Sequence, residues 1–220
     1  MKKQFVIIGC GRFGSSVAMK LSELGGEVLV VDNNENIVQR LSETVTYAVQ
    51  ADATDEHALK SLGIGNFDVA VVTIGGDIQA SILITLMVKE LGVRHIVAKA
   101  QNDLHAKVLY RIGADRVVFP ERDMGIRVAK NLVSENLIDF IDLSSEYSIL
   151  EIKALEKWVG KSLKELDMRA AYGINVIAIK SGLDLDVSVY PDQKIRSGDV
   201  LVVIGHNEDL EAIETRDEKK

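Results

Sequence analysis

Residues 5–14 read Phe-Val-Ile-Ile-Gly-Cys-Gly-Arg-Phe-Gly. A short apolar run enters G-x-G-x-x-G, and the residues that follow, Ser15–Gly25, carry apolar positions at helical spacing. In a strand–loop–helix of this kind each glycine has its own task. Gly9 permits the tight turn, Gly11 lets a phosphate approach backbone N–H groups, and Gly14 lets the helix pack on the strand. The helix start then offers unpaired amides and a positive dipole end to an anion. Cys10, Arg12 and Phe13 complete the loop, and Arg12 is the odd member, a long cation where small side chains are usual. An acid closes the next apolar run: Asp32, followed by Asn33, is placed to take ribose hydroxyls and to disfavour a 2′-phosphate. The motif predicts a nucleotide site.

Outward from the loop, apolar β-branched runs alternate with helical patterns up to about residue 119. Strands are expected at Phe5–Ile8, Val28–Val31, Thr46–Val49, Val69–Thr73, His95–Ala98 and Arg116–Phe119. Most are continuously apolar, as strands buried on both faces of a parallel sheet should be. Helices are expected at Ser15–Gly25, Glu35–Glu43, Glu56–Leu62, Asp77–Leu91 and Leu104–Ile112. Asp55 and Asp103 stand where N-caps belong, and Gly63, Gly92 and Gly113 where helices stop. The pattern is that of a doubly wound α/β sheet of about six strands. Ligands bind such sheets beyond the carboxyl ends of the strands. Several further residues fall on that ridge. Asp52, with Ala53 and Thr54 after the third strand, is placed to hydrogen-bond an adenine amine. Thr73, Ile74 and Gly75 bring backbone close to a ligand. Lys99 and Glu121 follow the fifth and sixth strands, where solvated loop charges are an equal alternative.

After Pro120 a long helix is expected from Glu121 to about Leu137, running into residues 138–141, with an apolar stripe of Met124, Val128, Leu132, Val133 and Leu137. Beyond residue 143 short elements alternate with Gly- and Asp-rich turns. These are strands at Ser148–Ala154, Asn175–Lys180 and Val200–Ile204, a short helix at Ser162–Ala171, a hairpin around Val187–Tyr190 and a terminal helix at Glu208–Ile213. They predict a small α+β domain. Residues 216–220 read as a frayed end.

With 220 residues, 47% hydrophobic and 27% charged, the chain can bury a sizeable core. A net charge of −7 without a basic tract argues against nucleic acid. The longest apolar run, Ser81–Val88, is far short of the roughly 20 residues that span a bilayer, so no membrane insertion is expected. Lys2-Lys3 before an apolar stretch imitates a signal peptide, but that stretch breaks at Gly9 and serves better as a first strand. The single cysteine excludes an internal disulfide and fits a reducing, cytosolic compartment. An oxidoreductase would need an acid–base group near a nicotinamide. His57, His95, His105 and His206 have no neighbours at metal-ligand spacing and read as structural, as does Cys10. No catalytic residues are expected: the site is built to bind.

Taken together, the GCGRFG loop, Asp32, the A-D-A-T-D segment at 51–55, "IGGDIQASILITLMVKELGV" and "AKAQNDLHAKVLYRIGADRVVFPERDMG" resemble an RCK domain. RCK domains are the cytosolic gating modules of potassium channels and transporters, and the likeness is to the regulatory subunit of Ktr/Trk-type systems. "LEIKALEKWVGKSLKELDMRAAYGINVIAIKSG" and "IRSGDVLVVIG" are similar to the RCK C-terminal (TrkA-C) domain. The resemblance implies a Rossmann-like N-terminal domain over residues 1–120, a crossover and dimerisation element over 121–141, and a small C-terminal domain over 142–220. It implies ATP or ADP at the glycine loop, with NAD(H) the lesser alternative, and homodimers assembled into an octameric ring beneath a membrane potassium-translocating subunit. By the same resemblance Arg12 contacts an ATP γ-phosphate across the dimer interface, and Glu121 belongs to a Mg²⁺ or Ca²⁺ site. Lys99 stands where the family usually has a basic residue. Cyclic di-AMP is implied as an inhibitory ligand of the C-terminal domain, at Leu163, Asp167, Met168, Arg169, Ala171, Ile174, Asn175 and Pro191. An ordinary helix end with a surface Asp–Arg pair is the alternative there. A cytoplasmic location at the inner membrane face follows from that partner. The competing classes are an NAD-dependent oxidoreductase and a soluble NAD(H) sensor.

Overall fold

The computed structural model describes residues 2–133 and 137–215. The chain divides into two compact units, Met1–Arg122 and Asp123–Lys220.

The first unit is built on strands β1 (Gln4–Ile8), β2 (Glu27–Asp32), β3 (Tyr47–Gln50), β4 (Val69–Val72), β5 (His95–Lys99) and β6 (Arg116–Val118), in the order β3-β2-β1-β4-β5-β6. Every neighbouring pair is parallel. Continuous apolar runs have the consequence expected of them. Val6, Ile8, Leu29, Val31, Ala70 and Val72 face one core, while Ile7, Val28, Val30, Val69 and Val71 face a second one on the other side of the sheet. Helices α1 (Arg12–Glu23), α2 (Glu35–Ser42), α3 (Glu56–Ser61), α4 (Ile78–Glu90) and α5 (Asp103–Arg111) cover these faces. In register, Ile8 lies opposite both Val31 and Val72. The carboxyl ends of β1, β2 and β4 are therefore level, and the order of the strands reverses between β1 and β4. A ligand crevice opens at such a point.

Four of the five helices carry their own caps. Asn34, Asp55, Asp77 and Asn102 accept hydrogen bonds from the backbone N–H groups of Asn36, His57, Ala80 and His105. Asp103, expected as the cap of α5, sits instead in its first turn and pairs with Arg122 at 2.8 Å. The neighbouring Asn102 has the extended backbone a cap requires.

The helix after β6, α6 (Pro120–Val133), starts as expected but does not reach Leu137. Leu137–Asp142 form strand β7, which pairs with β8 (Tyr147–Lys153), so residues 138–141 are strand and not a crossover helix. The second unit is an antiparallel sheet in the order β10-β9-β11-β8-β7, with β9 at Ile174–Ser181, β10 at Asp184–Asp186 and β11 at Val200–His206. Two further expectations are corrected. The hairpin lies at β9–β10, turning at Gly182-Leu183, and residues 187–190 are irregular. The single helix expected at 162–171 is two, α7 (Leu163–Leu166) and α8 (Met168–Tyr172), separated by Asp167 at φ +42°. A left-handed residue cannot continue an α-helix. Helix α9 (Asn207–Thr215) closes the unit over a core that includes Trp158, Ile174, Ile195 and Leu201. The expected frayed end, residues 216–220, lies outside the described residues. Among the described residues no helix is long and apolar enough to cross a membrane.

Candidate functional site

The glycine loop leaves β1 at Gly9 and enters α1 at Arg12. Its three glycines answer to different constraints. Gly9 has φ +83°, and a Cβ there would lie 2.5 Å from Ile74 Cδ1. A Cβ on Gly14 would overlap the Gly9 carbonyl oxygen and Thr73 Oγ1. Gly11 has nothing within 4 Å of where its Cβ would be. The fold thus requires glycine at 9 and 14, while the space at Gly11 is open. The hydroxyl of Thr73, at the end of β4, donates to the Gly9 carbonyl and ties the loop to the neighbouring strand.

Asp32 ends β2 nearly buried, 9% exposed. Its two carboxylate oxygens accept from the backbone N–H groups of Cys10, at 2.5 Å, and Asn34, at 2.9 Å. One acid therefore clamps the loop and the turn into α2, with its outer face still on the crevice. The Cys10 thiol is fully buried under this clamp. Burial, followed by the charge of Asp32, pushes its pKa up to about 12. It has no nucleophilic character.

Alone among α1–α5, helix α1 has no side-chain cap: Gly11 occupies the cap position, and its first turn holds no acid. Its first N–H groups remain available to an anion. The exposed Arg12 is its first residue and makes no side-chain hydrogen bond or ion pair among the described residues. Phe13 is half-buried behind it.

Beside the loop lies a cavity of about 340 Å³. Gly9, Asp32, Asn33, Asp52, Ala53, Thr54 and Ile74 share its wall, so residues flagged at the ends of four different strands meet there. Asp77, Ala80 and Ile84 of the α4 region also line it, and the sequence reading missed them. Asp52 already accepts from the Thr54 hydroxyl at 2.7 Å and its N–H at 2.9 Å, and these bonds hold its carboxyl below the usual range.

A second cavity, about 280 Å³, lies over the ends of β4, β5 and β6. Gly75, Lys99 and Glu121 line it, together with Gln101, Phe119 and Arg122, which the sequence reading did not single out. The Lys99 ammonium is paired with the Glu121 carboxylate. That hydrogen bond, with smaller contributions from the charges of Lys99 and Arg12, holds the Glu121 carboxyl below its ordinary value. Arg122 stacks on Phe119 with its guanidinium 3.6 Å from the ring centre. Among the described residues no three His, Cys, Asp or Glu side chains gather around a metal position. One carboxylate facing an ammonium does not by itself suit Mg²⁺ or Ca²⁺, which want six or more oxygens.

The second unit has its own cavity of about 550 Å³. Leu163, Asp167, Met168, Arg169, Ile174, Asn175 and Pro191 line it, and Ala171 does not. Lys164, Val189 and Tyr190 join them. The wall is held by the Lys164 N–H, which donates to the Pro191 carbonyl at 2.8 Å, and by Asp167, whose carboxylate accepts from the Ala170 N–H. An apolar floor with Asp167, Arg169 and Asn175 at its rim suits a flat ring carrying polar edges.

Residues 5–120 match the TrkA-N domain family and residues 148–216 the TrkA-C domain family. Ktr system potassium uptake protein C of Bacillus subtilis (strain 168) is 50% identical over 216 residues, 98% of each chain. Ktr system potassium uptake protein A of the same organism is 49% identical over 212 residues, 96% of each chain. Among solved structures, the GsuK RCK domain superposes with a TM-score of 0.68 at 21% identity, covering 98% of this chain and 47% of that one, which is a likeness of fold. By its two matched domains and by identity along nearly its whole length, the chain belongs to the Ktr potassium-uptake family of RCK regulatory subunits.

Proposed function

We propose that the chain is the cytoplasmic, nucleotide-sensing subunit that gates a membrane potassium-translocating partner. ATP and ADP are the ligands of the first unit. The observation that carries this is the junction of an uncapped α1, open space at Gly11 and an unpaired Arg12 beside the cavity bearing Asp32 and Asp52. Adenine and ribose occupy that cavity, and the α- and β-phosphates lie on the α1 amides. Arg12 then contacts a γ-phosphate from the nucleotide of a second copy through charge-assisted bonds. Because ADP lacks that phosphate, the two nucleotides bind one assembled state with different free energies. Only such a difference shifts a conformational equilibrium. Homodimers in an octameric ring supply the facing copies. A divalent cation reaches Glu121 only with phosphate oxygens completing its shell. Cyclic di-AMP is the ligand of the cavity in the second unit, its adenines on Leu163, Met168 and Ile174 and its polar edges toward Asp167, Arg169 and Asn175.

Calorimetric titration of the full-length protein tests the reading. The expected result is ATP bound more tightly than NADH, and an ATP-over-ADP preference that Arg12→Ala removes by about tenfold, the order of one charge-assisted interaction. NADH binding equal to ATP, or an Arg12→Ala variant that keeps the full preference, refutes it.

A further inference from the structure

In a sheet ordered β3-β2-β1-β4-β5-β6, the two halves on either side of the β1–β4 switch point are equivalent mononucleotide-binding halves. A dinucleotide uses both, with adenosine over β1–β3 and its second nucleoside over β4–β6. The first half of this chain is open, with Asp32 and Asp52 on its wall. The second is not equivalent. Its cavity is lined by the Lys99–Glu121 ion pair, which ties the end of β5 to the start of α6. Lys99 is only 12% exposed and leans on Gly75, where an added Cβ would sit 3.3 Å from Nζ. The Gln101 side-chain amide donates to the Gly75 carbonyl, and Arg122, held by Asp103 and stacked on Phe119, completes the wall. The space beyond the switch point is therefore narrowed by a wall of charge that satisfies itself.

We propose that the Lys99–Glu121 pair is a specificity determinant, closing the second half-site to the nicotinamide riboside half of a dinucleotide. The chain thereby selects adenine mononucleotides over NAD(H). A neutral ring and ribose entering that half must part the pair, leaving a mostly buried ammonium without its counter-charge, and they return no charged group in exchange. ADP ends at its β-phosphate and places no second ribose or ring against the pair. This deepens the nucleotide reading of the same site and rests on it.

The test is calorimetric titration of ADP and NADH into full-length wild type, Lys99→Met and Glu121→Ala, each checked for an unchanged melting profile. Lys99→Met keeps the stem and removes the charge, and Glu121→Ala removes the stopper and frees the lysine to swing out. The proposal expects wild type to favour ADP, and the NADH-to-ADP affinity ratio to rise by about tenfold in Glu121→Ala, the scale on which an unpaired buried polar group discriminates. Attraction between Lys99 and phosphate favours ADP, whose terminal phosphate carries the extra charge, so the ratio in Glu121→Ala, which keeps Lys99, is the deciding one. ADP binding in wild type with an unchanged ratio in Glu121→Ala overturns this proposal and leaves the nucleotide reading standing. Failure of wild type to bind ADP refutes the nucleotide reading itself, and the proposal with it.

Discussion

Gly11 and Gly14 share one motif and should fail in opposite ways. In Gly14→Ala the new methyl overlaps the Gly9 carbonyl oxygen and the Thr73 hydroxyl. The first is backbone and cannot rotate away, and the second already holds that backbone in place. Overpacking typically costs about 1–3 kcal/mol, and a clash with fixed backbone belongs at the upper end, about 2–3 kcal/mol. Unfolding entropy of about 2.1 cal/mol/K per residue gives roughly 250 cal/mol/K for a unit of this size, so the melting temperature should fall by about 8–12 °C. In Gly11→Ala the methyl meets nothing. The folded state loses only the modest preference for glycine over alanine at an N-cap, within about 1 kcal/mol. Its methyl, however, stands where a phosphate must come to reach the α1 amides, so ADP affinity should drop by about tenfold or more. Differential scanning calorimetry at one fixed protein concentration, since assembly shifts the midpoint, is paired with ADP titration of each variant. If Gly11→Ala melts as early as Gly14→Ala and binds ADP normally, then the reserved space is not a ligand site.

Three other outcomes follow from buried groups. Cys10, its thiol pushed up to about 12, should resist an aromatic disulfide reagent at about pH 8 in the folded protein and react at once in denaturant; rapid labelling of folded protein would refute the clamp. His105 is 2% exposed and burial lowers its pKa. The unfolded chain then binds more protons than the folded one below about pH 6.5, so stability should fall as pH drops from there toward the folded pKa. Denaturant midpoints between about pH 7 and pH 5 should decline less steeply in His105→Gln; an identical slope removes His105 from the account. Trp158, the sole tryptophan, donates from Nε1 to the Tyr172 hydroxyl at 3.0 Å from a fully buried position. Tyr172→Phe strands that donor, and urea denaturation followed by tryptophan fluorescence should show a loss of about 1–3 kcal/mol, whereas a midpoint within error of wild type would contradict it.

The parts of the fold that were legible are those whose cause is local. Val28–Val31 and Val69–Val72 are continuously apolar because both faces of a parallel strand are buried, and that holds whatever the neighbour. Asp55 precedes its helix and caps it for reasons contained in a few residues. The misreadings lie where distant residues decide. Asn102 and Asp103 are both competent caps; Asn102 takes the role, while Asp103 pairs with the distant Arg122. Residues 137–142, with apolar groups at spacings a helix could also use, become strand because β8 pairs with them from beyond the next turn. Asp167 breaks a helix that propensity would continue, at the rim of the cavity that Pro191 closes from the far side.

The candidate site shows the same division. The glycines, Asp32 and the bare start of α1 could be read one residue at a time, because each answers to the loop it sits in. Lys99 and Glu121 were also visible singly, but the residues alone left them as ambiguous charges and only the resemblance implied a use for each. Their pairing exists only because β6 lies beside β5 and delivers the first turn of α6 to the end of Lys99. A charge that is ambiguous in sequence thus becomes informative through what it neutralises. Arg12, exposed and without a partner of its own among the described residues, leaves a positive charge for a ligand to meet. Lys99, paired inside its own chain, takes a place from one. The two cations stand on either side of the switch point, and on the proposed reading they divide the work, one drawing phosphate in and the other setting how far along the crevice a nucleotide can extend.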